Sequence, residues 1–183
     1  MKILFIGNTR LGDAILSTCI LNQFENKNVE VTVICSPLSK EIYQNFSVVK
    51  NIVSIIKKEK GKHWIDAYRA LDSQVWDLII DLRNTIISRL IRKKKVIRFG
   101  KPDKKEHRVI SMCKLIKLNN ICSPKIPITK NNHKKALLTL KNNNLMNPVL
   151  AIAPITNWHR KNWPINNYAK LINKLIDNKA PIN

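Results

Sequence analysis

The sequence is poor in several residue types on which specialised folds depend. It contains only 4 glycines and 4 cysteines among 183 residues, and aromatic residues make up 6%. So little glycine excludes a collagen-like or glycine-rich disordered chain. The cysteines form no CxxC pair, and no pair of histidines stands at ligand spacing. A zinc site or a disulfide framework is therefore not expected, and the thiols are expected to be free.

Long hydrophobic runs are also missing. No uninterrupted stretch approaches the ~18 apolar residues that a membrane-spanning helix needs. The first apolar run, Lys2–Ile6, is too short for the core of a signal peptide, and the polar residues Asn8, Thr9 and Arg10 follow it. The chain is therefore expected in the cytoplasm, reaching a membrane only from the cytosolic side.

Acidic residues are scarce. There are 12 of them against 33 lysines and arginines, which gives a formal net charge of +21. Such an excess favours an anionic partner: nucleic acid, a membrane surface or a phosphorylated substrate. The competing explanation is compositional, because the abundance of Lys, Asn and Ile matches A/T-rich codon usage. The rest of the composition, 44% hydrophobic and 25% charged, is that of an ordinary globular protein.

Short apolar runs alternate with amphipathic segments along the chain. Hydrophobic periodicity predicts strands at 2–6, 29–35, 51–56, 77–81, 96–99 and 148–153, and helices at 12–26, 62–71, 85–92, 107–118, 133–143 and 166–177. A further helix is predicted to begin at Pro37. This alternation is typical of an α/β fold, a Rossmann-like parallel sheet with helices on both faces. Ligands of such folds bind at the carboxyl ends of the strands.

The polar stretch 125–135 is typical of a connection between two units. We predict an N-terminal domain over residues 1–145 and the beginning of a second α/β domain over residues 146–183. One predicted strand and one predicted helix cannot bury their own apolar faces. The second segment must therefore pack on the first domain or on further chain.

The first candidate motif is the segment Gly7–Asp13, between the first strand and the first helix. Its two glycines are not spaced as in GxGxxG, which argues against NAD binding and a nicotinamide oxidoreductase. A strand–loop–helix turn directs backbone N–H groups at a crevice, where Arg10 and Gly12 are candidate ligand contacts. Asp13 either complements the helix terminus or acts as a carboxylate that takes a proton from a hydroxyl.

The second candidate motif is the loop Thr156–Pro164, just before the last predicted helix. It contains a threonine, a histidine, an arginine and a lysine, which suit a phosphate or a diphosphate. The alternative is a basic surface loop that Trp163 anchors.

The third candidate motif contains Asp81 and Arg83, at the carboxyl end of the fourth predicted strand. A ligand could touch both side chains there. Equally, the two residues could form an Asp–Arg pair that holds a loop.

The fourth is a basic run of Arg89, Arg92 and Lys93–Lys95, interspersed with isoleucine and leucine. It could rest on an anionic membrane, at about 1 kcal/mol per basic residue near the surface. The alternative is a solvated helix end.

Three segments together resemble a known family. LFIGNTRLGDAILST resembles the N-terminal signature of the ADP-heptose:lipopolysaccharide heptosyltransferases, glycosyltransferase family 9. WDLIIDLRN resembles a central strand of that family. APITNWHRKNWPINNYAKL resembles its nucleotide-sugar motif, with a Lys-x-Trp-Pro core at Lys161, Trp163 and Pro164. GKHWIDAYR and EHRV fit as well, and the order and spacing over nearly the whole chain make the combined resemblance specific.

The resemblance implies a GT-B architecture, in which two Rossmann-like domains face a cleft. The N-terminal domain would bind the acceptor and the C-terminal domain an ADP-heptose-like donor, and transfer would invert the anomeric centre. Asp13 would be the general base, a role that typically contributes ~10²–10⁴-fold. Thr156 and Lys161 would hold the ADP phosphates. Arg10, Gly12, Asp81 and Arg83, from the first and third motifs, would either contact the acceptor or hold the loops around it.

The resemblance also implies partners and a location. The acceptor would be the anionic inner core of lipid A, at the cytosolic face of the inner membrane, which would explain the positive charge. No metal or other cofactor is implied, and no nucleic acid is expected.

The second domain of this family continues well beyond the position that matches Asn183. We therefore expect this chain alone to be incomplete, with little or no transfer unless a second chain supplies the rest of the donor site. The alternative function is a basic nucleic-acid-binding α/β module, whose binding would fall steeply with salt. Against that alternative, the sequence lacks helix-turn-helix, RNP and zinc-finger motifs.

Overall fold

A computed structural model of the chain describes residues 1–56, 61–100, 103, 105–117, 122–145, 149–156 and 158–177. The chain divides into two compact units, Met1–Thr129 and Lys130–Asn183. The domain boundary after residue 145 stays a prediction.

The first unit is built on a five-stranded sheet with short helices between the strands. Its strands are Lys2–Ile6 (β1), Glu30–Cys35 (β2), Val49–Ser54 (β3), Trp76–Asp81 (β4) and Lys93–Arg98 (β5). Its helices are Leu11–Asn22 (α1), Lys40–Tyr43 (α2), Lys62–Leu71 (α3), Ile87–Leu90 (α4) and Arg108–Leu115 (α5). The strand order is β3-β2-β1-β4-β5 and every neighbouring pair is parallel. The predicted Rossmann-like α/β fold is therefore confirmed.

The central strand β1 explains why helices cover both faces of the sheet. Residues 3–6 of this strand are all fully buried, as expected of a parallel strand inside a sheet. Ile3 and Phe5 belong to a core that α1, α2 and α5 cover, whereas Leu4 and Ile6 belong to a core that α3 and α4 cover. Successive side chains of β1 thus point to opposite faces of the sheet and pack into two separate hydrophobic cores.

Of the two interpretations of the basic run Arg89, Arg92 and Lys93–Lys95, a solvated helix end is wrong for the three lysines. These residues form the first half of β5, where Lys93 pairs with Trp76 and Lys95 with Leu78 of β4. Strand β5 is an edge of the sheet, and charged side chains on an edge strand prevent it from pairing with another chain. Lys94 also forms an ion pair with Asp77, at 2.7 Å.

The second unit contains two helices, Lys130–Asn142 (α6) and Ile165–Asp177 (α7), and a short 3₁₀ turn, His159–Lys161. The strand predicted at 148–153 is not formed over the described residues 149–153, so that prediction is wrong there. An apolar segment becomes a strand only when a neighbouring strand satisfies its backbone groups. No strand lies in the described part of this unit, and Leu150 and Ile152 remain 41% and 39% exposed.

The four thiols are free, as the sequence predicted. Cys19 and Cys113 are buried in the core between α1 and α5, and Cys122 packs against them. Burial raises the pKa of Cys35 to about 11, and burial together with the neighbouring Cys113 raises the pKa of Cys19 to about 12. Neutral thiols in these positions act as small core residues.

No helix in the described ranges is both long enough and apolar enough to cross a membrane.

Gly7 is required by a close approach to Tyr43. A Cβ atom at position 7 would lie 2.8 Å from Tyr43 Oη and 3.2 Å from Cζ, inside van der Waals contact. We therefore expect Gly7→Ala to lower the free energy of unfolding by about 1–3 kcal/mol, the range for overpacking a core. Urea denaturation followed by circular dichroism measures this change.

The variant Tyr43→Phe provides the control for that clash. It removes the hydroxyl, which forms a 2.9 Å hydrogen bond with Ser17, at a cost of about 1 kcal/mol. In the Tyr43→Phe background, Gly7→Ala should be less destabilising than in the natural chain. A cost that stays the same in both backgrounds contradicts the assigned contact.

Candidate functional site

A cavity of about 420 Å³ opens at the carboxyl edge of the sheet. The loops after four strands and the beginning of α3 supply its lining: Thr9, Ser36, Pro37, Ile55, Ile56, His63 and Arg83. A cavity that combines apolar walls with a few polar groups in this position is where parallel α/β sheets bind ligands.

Serines after β2 hold the loop that follows β1. Ser36 Oγ donates to the backbone oxygen of Thr9 at 3.1 Å, and Ser39 Oγ donates to that of Asn8 at 3.3 Å. Gly7 N–H donates to the Ile34 carbonyl at 2.9 Å and continues the β1–β2 pairing past the end of the strand. The candidate loop is thus fixed from its neighbour rather than by its own residues.

Asp13 is the third residue of α1, and its side chain is partly exposed. The described residues form no hydrogen bond or ion pair with its carboxylate, and only its backbone oxygen accepts a contact, from Asn8 Nδ2 at 3.4 Å. The carboxylate is therefore available to a ligand. Asp13 does not line the 420 Å³ cavity, which Thr9 reaches from the same loop.

Arg10 and Gly12 lie beside Asp13 and are exposed. Arg10 precedes α1 as its N-cap, but its side chain makes no capping hydrogen bond. A Cβ at Gly12 would meet no atom within 4 Å, so packing alone does not require glycine there. Both positions are open to a ligand.

Asp81 is fully buried at the end of β4. Its Oδ1 accepts from Arg83 N–H at 2.9 Å, and its Oδ2 accepts from Thr85 N–H at 2.6 Å and from Thr85 Oγ1 at 2.8 Å. This geometry favours the loop-holding role, with the backbone N–H groups rather than the guanidinium as partners. A ligand contact at Asp81 stays a prediction.

Arg83 has a different environment. Its guanidinium lies 5.2 Å from the centre of the Trp64 ring, a cation–π contact, and it lines the cavity. Partial burial lowers the pKa of Arg83, and the nearby Asp81 opposes that change. An arginine remains charged at neutral pH, so this residue presents a cation to the cavity.

Asn162 organises the loop before α7 in the second unit. Its Oδ1 accepts from Thr156 N–H and is 2.8 Å from Thr156 Oγ1, which also lies 2.9 Å from the Trp158 carbonyl oxygen. A hydroxyl has one proton, so Thr156 already has two acceptors within its own loop. Binding a phosphate would require its hydroxyl to turn outward.

Lys161 lies in the same loop, within the 3₁₀ turn. Its Nζ is 5.0 Å from the centre of the Trp158 ring, and the described residues place no carboxylate against it. The Trp163 and Tyr168 rings meet edge to face at 4.9 Å, which ties the loop to α7. The loop therefore carries a cation ahead of a 13-residue helix, and phosphate binding by this loop stays a prediction.

Two functionally placed groups were missed from the sequence. The first is the pair Ser36 and Ser39, which fix the loop after β1, and the second is Asn162. None of the three has a local sequence signal, because each acts through a hydrogen bond whose partner depends on the tertiary fold. His107, in contrast, is the N-cap of α5 and accepts from Val109 N–H at 3.3 Å, a structural role.

These features define a class. The protein is of the Rossmann-like α/β class, with a cavity at the carboxyl edge of its parallel sheet and a basic loop before a helix in the second unit. Comparisons with known proteins make the class more specific.

The C-terminal part of the sequence, residues 101–182, matches the sequence model of glycosyltransferase family 9 (heptosyltransferase). This range includes the loop Thr156–Pro164. No match is found among curated protein sequences.

Solved structures with the same fold are glycosyltransferases. The family 9 glycosyl transferase from Veillonella parvula aligns with a TM-score of 0.76 and 13% identity, over 95% of this chain and 59% of that one. E. coli heptosyltransferase WaaC with ADP aligns with a TM-score of 0.63 and 15% identity, over 97% of this chain and 65% of that one. E. coli ADP-heptose lps heptosyltransferase II aligns with a TM-score of 0.63 and 16% identity, over 97% of this chain and 62% of that one.

The family 9 resemblance is thus supported by sequence over residues 101–182, and the solved structures share the fold over nearly the whole chain. The chain has the fold of the aligned part of these structures. The chain spans 59–65% of the length of these three structures.

Proposed function

We propose that this protein is a glycosyltransferase that moves a heptose or a related sugar from an ADP-sugar to the inner core of lipopolysaccharide. The family 9 match over the basic loop before α7 carries the proposal. Structures with the same fold include WaaC with ADP and with ADP-2-deoxy-2-fluoro heptose. The remaining donor contacts would come from the part of the fold that these structures have beyond the aligned region.

Asp13 is the general base in this proposal. Its carboxylate takes the proton of an acceptor hydroxyl while that oxygen attacks the anomeric carbon. The bond from the anomeric carbon to the diphosphate oxygen breaks in the same displacement, and the configuration inverts. The support is the unpartnered, partly exposed carboxylate at the beginning of α1, since a general base needs a free lone pair within reach of a ligand.

Lys161 and Thr156 bind the donor phosphates in this proposal. The ammonium of Lys161 is available and offsets the charge that develops on the leaving diphosphate. The hydroxyl of Thr156 exchanges its internal acceptor for a phosphate oxygen. No metal or other cofactor forms part of the proposal.

The acceptor occupies the first unit. Arg83 presents its cation to the 420 Å³ cavity, next to His63 and the loop that ends in Asp13, so the cavity suits an anionic sugar. Arg10 and Gly12 lie on the open side of the same loop. We place the enzyme at the cytosolic face of the inner membrane, where such a lipid-linked acceptor is found.

Substitution of Lys161 should weaken ADP binding. We expect Lys161→Ala to raise the dissociation constant of ADP about tenfold or more, because one charge-assisted hydrogen bond contributes ~1.5–3 kcal/mol. Isothermal titration of ADP into the natural polypeptide, whose intact mass is determined first, measures this change.

Arg160→Ala is the matched control, because it removes one cation from the same 3₁₀ turn without touching the family core. It should change the dissociation constant less than threefold. Equal losses in the two variants would show a diffuse charge effect and contradict the role of Lys161.

A further inference from the structure

A second cavity of about 560 Å³ lies between α3 and α4, on the outer side of the first unit. Its lining is almost entirely apolar: Gly61, Trp64, Ile65, Tyr68, Ile86, Ile87 and Leu90. We refer to these residues as the α3–α4 groove. None of them belongs to the loop Gly7–Asp13 or to the loop Thr156–Pro164.

The fold does not need the outer part of this groove. Ile87 is buried in the core beneath α3 and α4, and Trp64 and Tyr68 pack against that core. Ile65, Ile86 and Leu90, however, are 52%, 60% and 60% exposed. A contiguous patch of exposed aliphatic side chains is typical of a surface that binds a membrane or another molecule.

Cations flank these aliphatic side chains. Lys62 and Arg69 lie three residues before and four residues after Ile65, on the same face of α3. Arg89 lies three residues after Ile86, and its guanidinium donates to the neutral side-chain amide oxygen of Asn84 at 3.4 Å. The nearby Asp72 is shared between the hydroxyl of Tyr68 and Arg92, so its charge is balanced by a cation outside the three.

We propose that the α3–α4 groove and its three cations form a docking surface for an anionic phospholipid bilayer. The aliphatic side chains enter the boundary between headgroups and acyl chains, while Lys62, Arg69 and Arg89 contact lipid phosphates. Trp64 and Tyr68 have the apolar body and polar edge that suit this depth. The net charge of +21 adds a long-range attraction to the same surface.

The position of the groove fits a lipid-linked acceptor. Trp64 lines the groove and carries on its ring the guanidinium of Arg83, which lines the 420 Å³ cavity. A bilayer on the groove would therefore lie beside the candidate acceptor cavity. The docking proposal itself stands on the groove and its charges, without the proposed reaction.

Co-sedimentation with vesicles tests the proposal, using phosphatidylcholine vesicles with and without phosphatidylglycerol. The natural chain should sediment with the vesicles that contain phosphatidylglycerol and should not sediment with those that lack it. Arg69→Glu/Arg89→Glu should weaken this binding about 30-fold or more, and Ile86→Ser/Leu90→Ser at least tenfold. Circular dichroism checks that each variant is folded.

Matched controls separate this surface from the overall charge. Lys27→Glu/Lys50→Glu makes the same charge change at exposed positions elsewhere in the first unit, and Val75→Ser removes a 48% exposed apolar residue just before β4. Both should retain most of the binding. Equal losses in the control pair, undiminished binding by the groove variants, or loss on Leu171→Ser in α7 would overturn the proposal.

Two further outcomes also decide the question. Absence of binding by the natural chain overturns the proposal, as does equal binding to neutral vesicles. ADP titration of the groove variants distinguishes the two proposals: unchanged ADP affinity with lost vesicle binding supports both. Retained ADP affinity in a chain that never binds vesicles removes only the docking surface. Capture of an acidic protein by the groove without vesicle binding likewise contradicts a bilayer.

Discussion

Asp13→Asn should reduce sugar transfer by about 10²–10⁴-fold while leaving the affinity for ADP nearly unchanged. The amide has almost the same shape as the carboxylate but cannot accept the proton of the acceptor hydroxyl, so the loss should fall on kcat. ADP would be bound through the loop that contains Lys161, which this substitution does not alter. Turnover with an ADP-sugar and titration of ADP, both on the natural polypeptide used for the Lys161 test, measure the two quantities.

The competing role for Asp13 is structural, since a carboxylate in the first turn complements the helix dipole at about 0.3–1 kcal/mol. In that case Asp13→Asn would lower the unfolding free energy slightly and leave kcat in place. Glu41→Gln is the matched control, because it neutralises an exposed carboxylate in the first turn of α2. Similar turnover for the two variants contradicts the role of Asp13 as base.

The central part of the fold could be predicted because its signals are local. Strand β1 and helix α3 have the limits that the sequence predicted, since an unbroken apolar run and a clear helical periodicity leave few alternatives. The strand predicted at 96–99 misses the first three residues of β5, because lysines are not typical of a strand. Only the pairing of β5 with β4 shows that they belong to it. The prediction of a strand at 148–153 is wrong over the described residues for the opposite reason. The segment is apolar, but no strand lies beside it to satisfy its backbone groups.

The site could be predicted only in part. Residue types and family spacing single out the loop with Asp13 and the loop with Lys161 in the sequence, and the roles of both residues stay predictions. It left two roles open for Asp81, and only the buried hydrogen bonds favour the loop-holding one. The organising role of Asn162 depends on a contact six residues back along the chain, for which no local pattern exists.

Asp81→Ala should be the most destabilising single substitution in the loop after β4. It removes a buried carboxylate and leaves the Arg83 N–H, the Thr85 N–H and the Thr85 hydroxyl without their acceptor. Each unsatisfied buried polar group costs ~1–3 kcal/mol, so we expect a fall of about 3–5 kcal/mol in the unfolding free energy. Urea denaturation measures this change, and Arg83 should lose its position over Trp64 as the loop loosens.

Asp77→Ala is the matched control at the other end of β4. Its carboxylate accepts from Lys2 N–H at 2.8 Å and pairs with Lys94, but solvent reaches it and screens both contacts, so the loss of unfolding free energy should be far smaller than at Asp81. Thr85→Val removes one of the three donors to Asp81 while keeping the side-chain shape. In that background Asp81→Ala should be less destabilising by about 1 kcal/mol, because one fewer group is left without a partner. If both aspartates had the same small effect, a ligand contact would be the better explanation for the buried position of Asp81, since the loop would then hold its shape without this carboxylate.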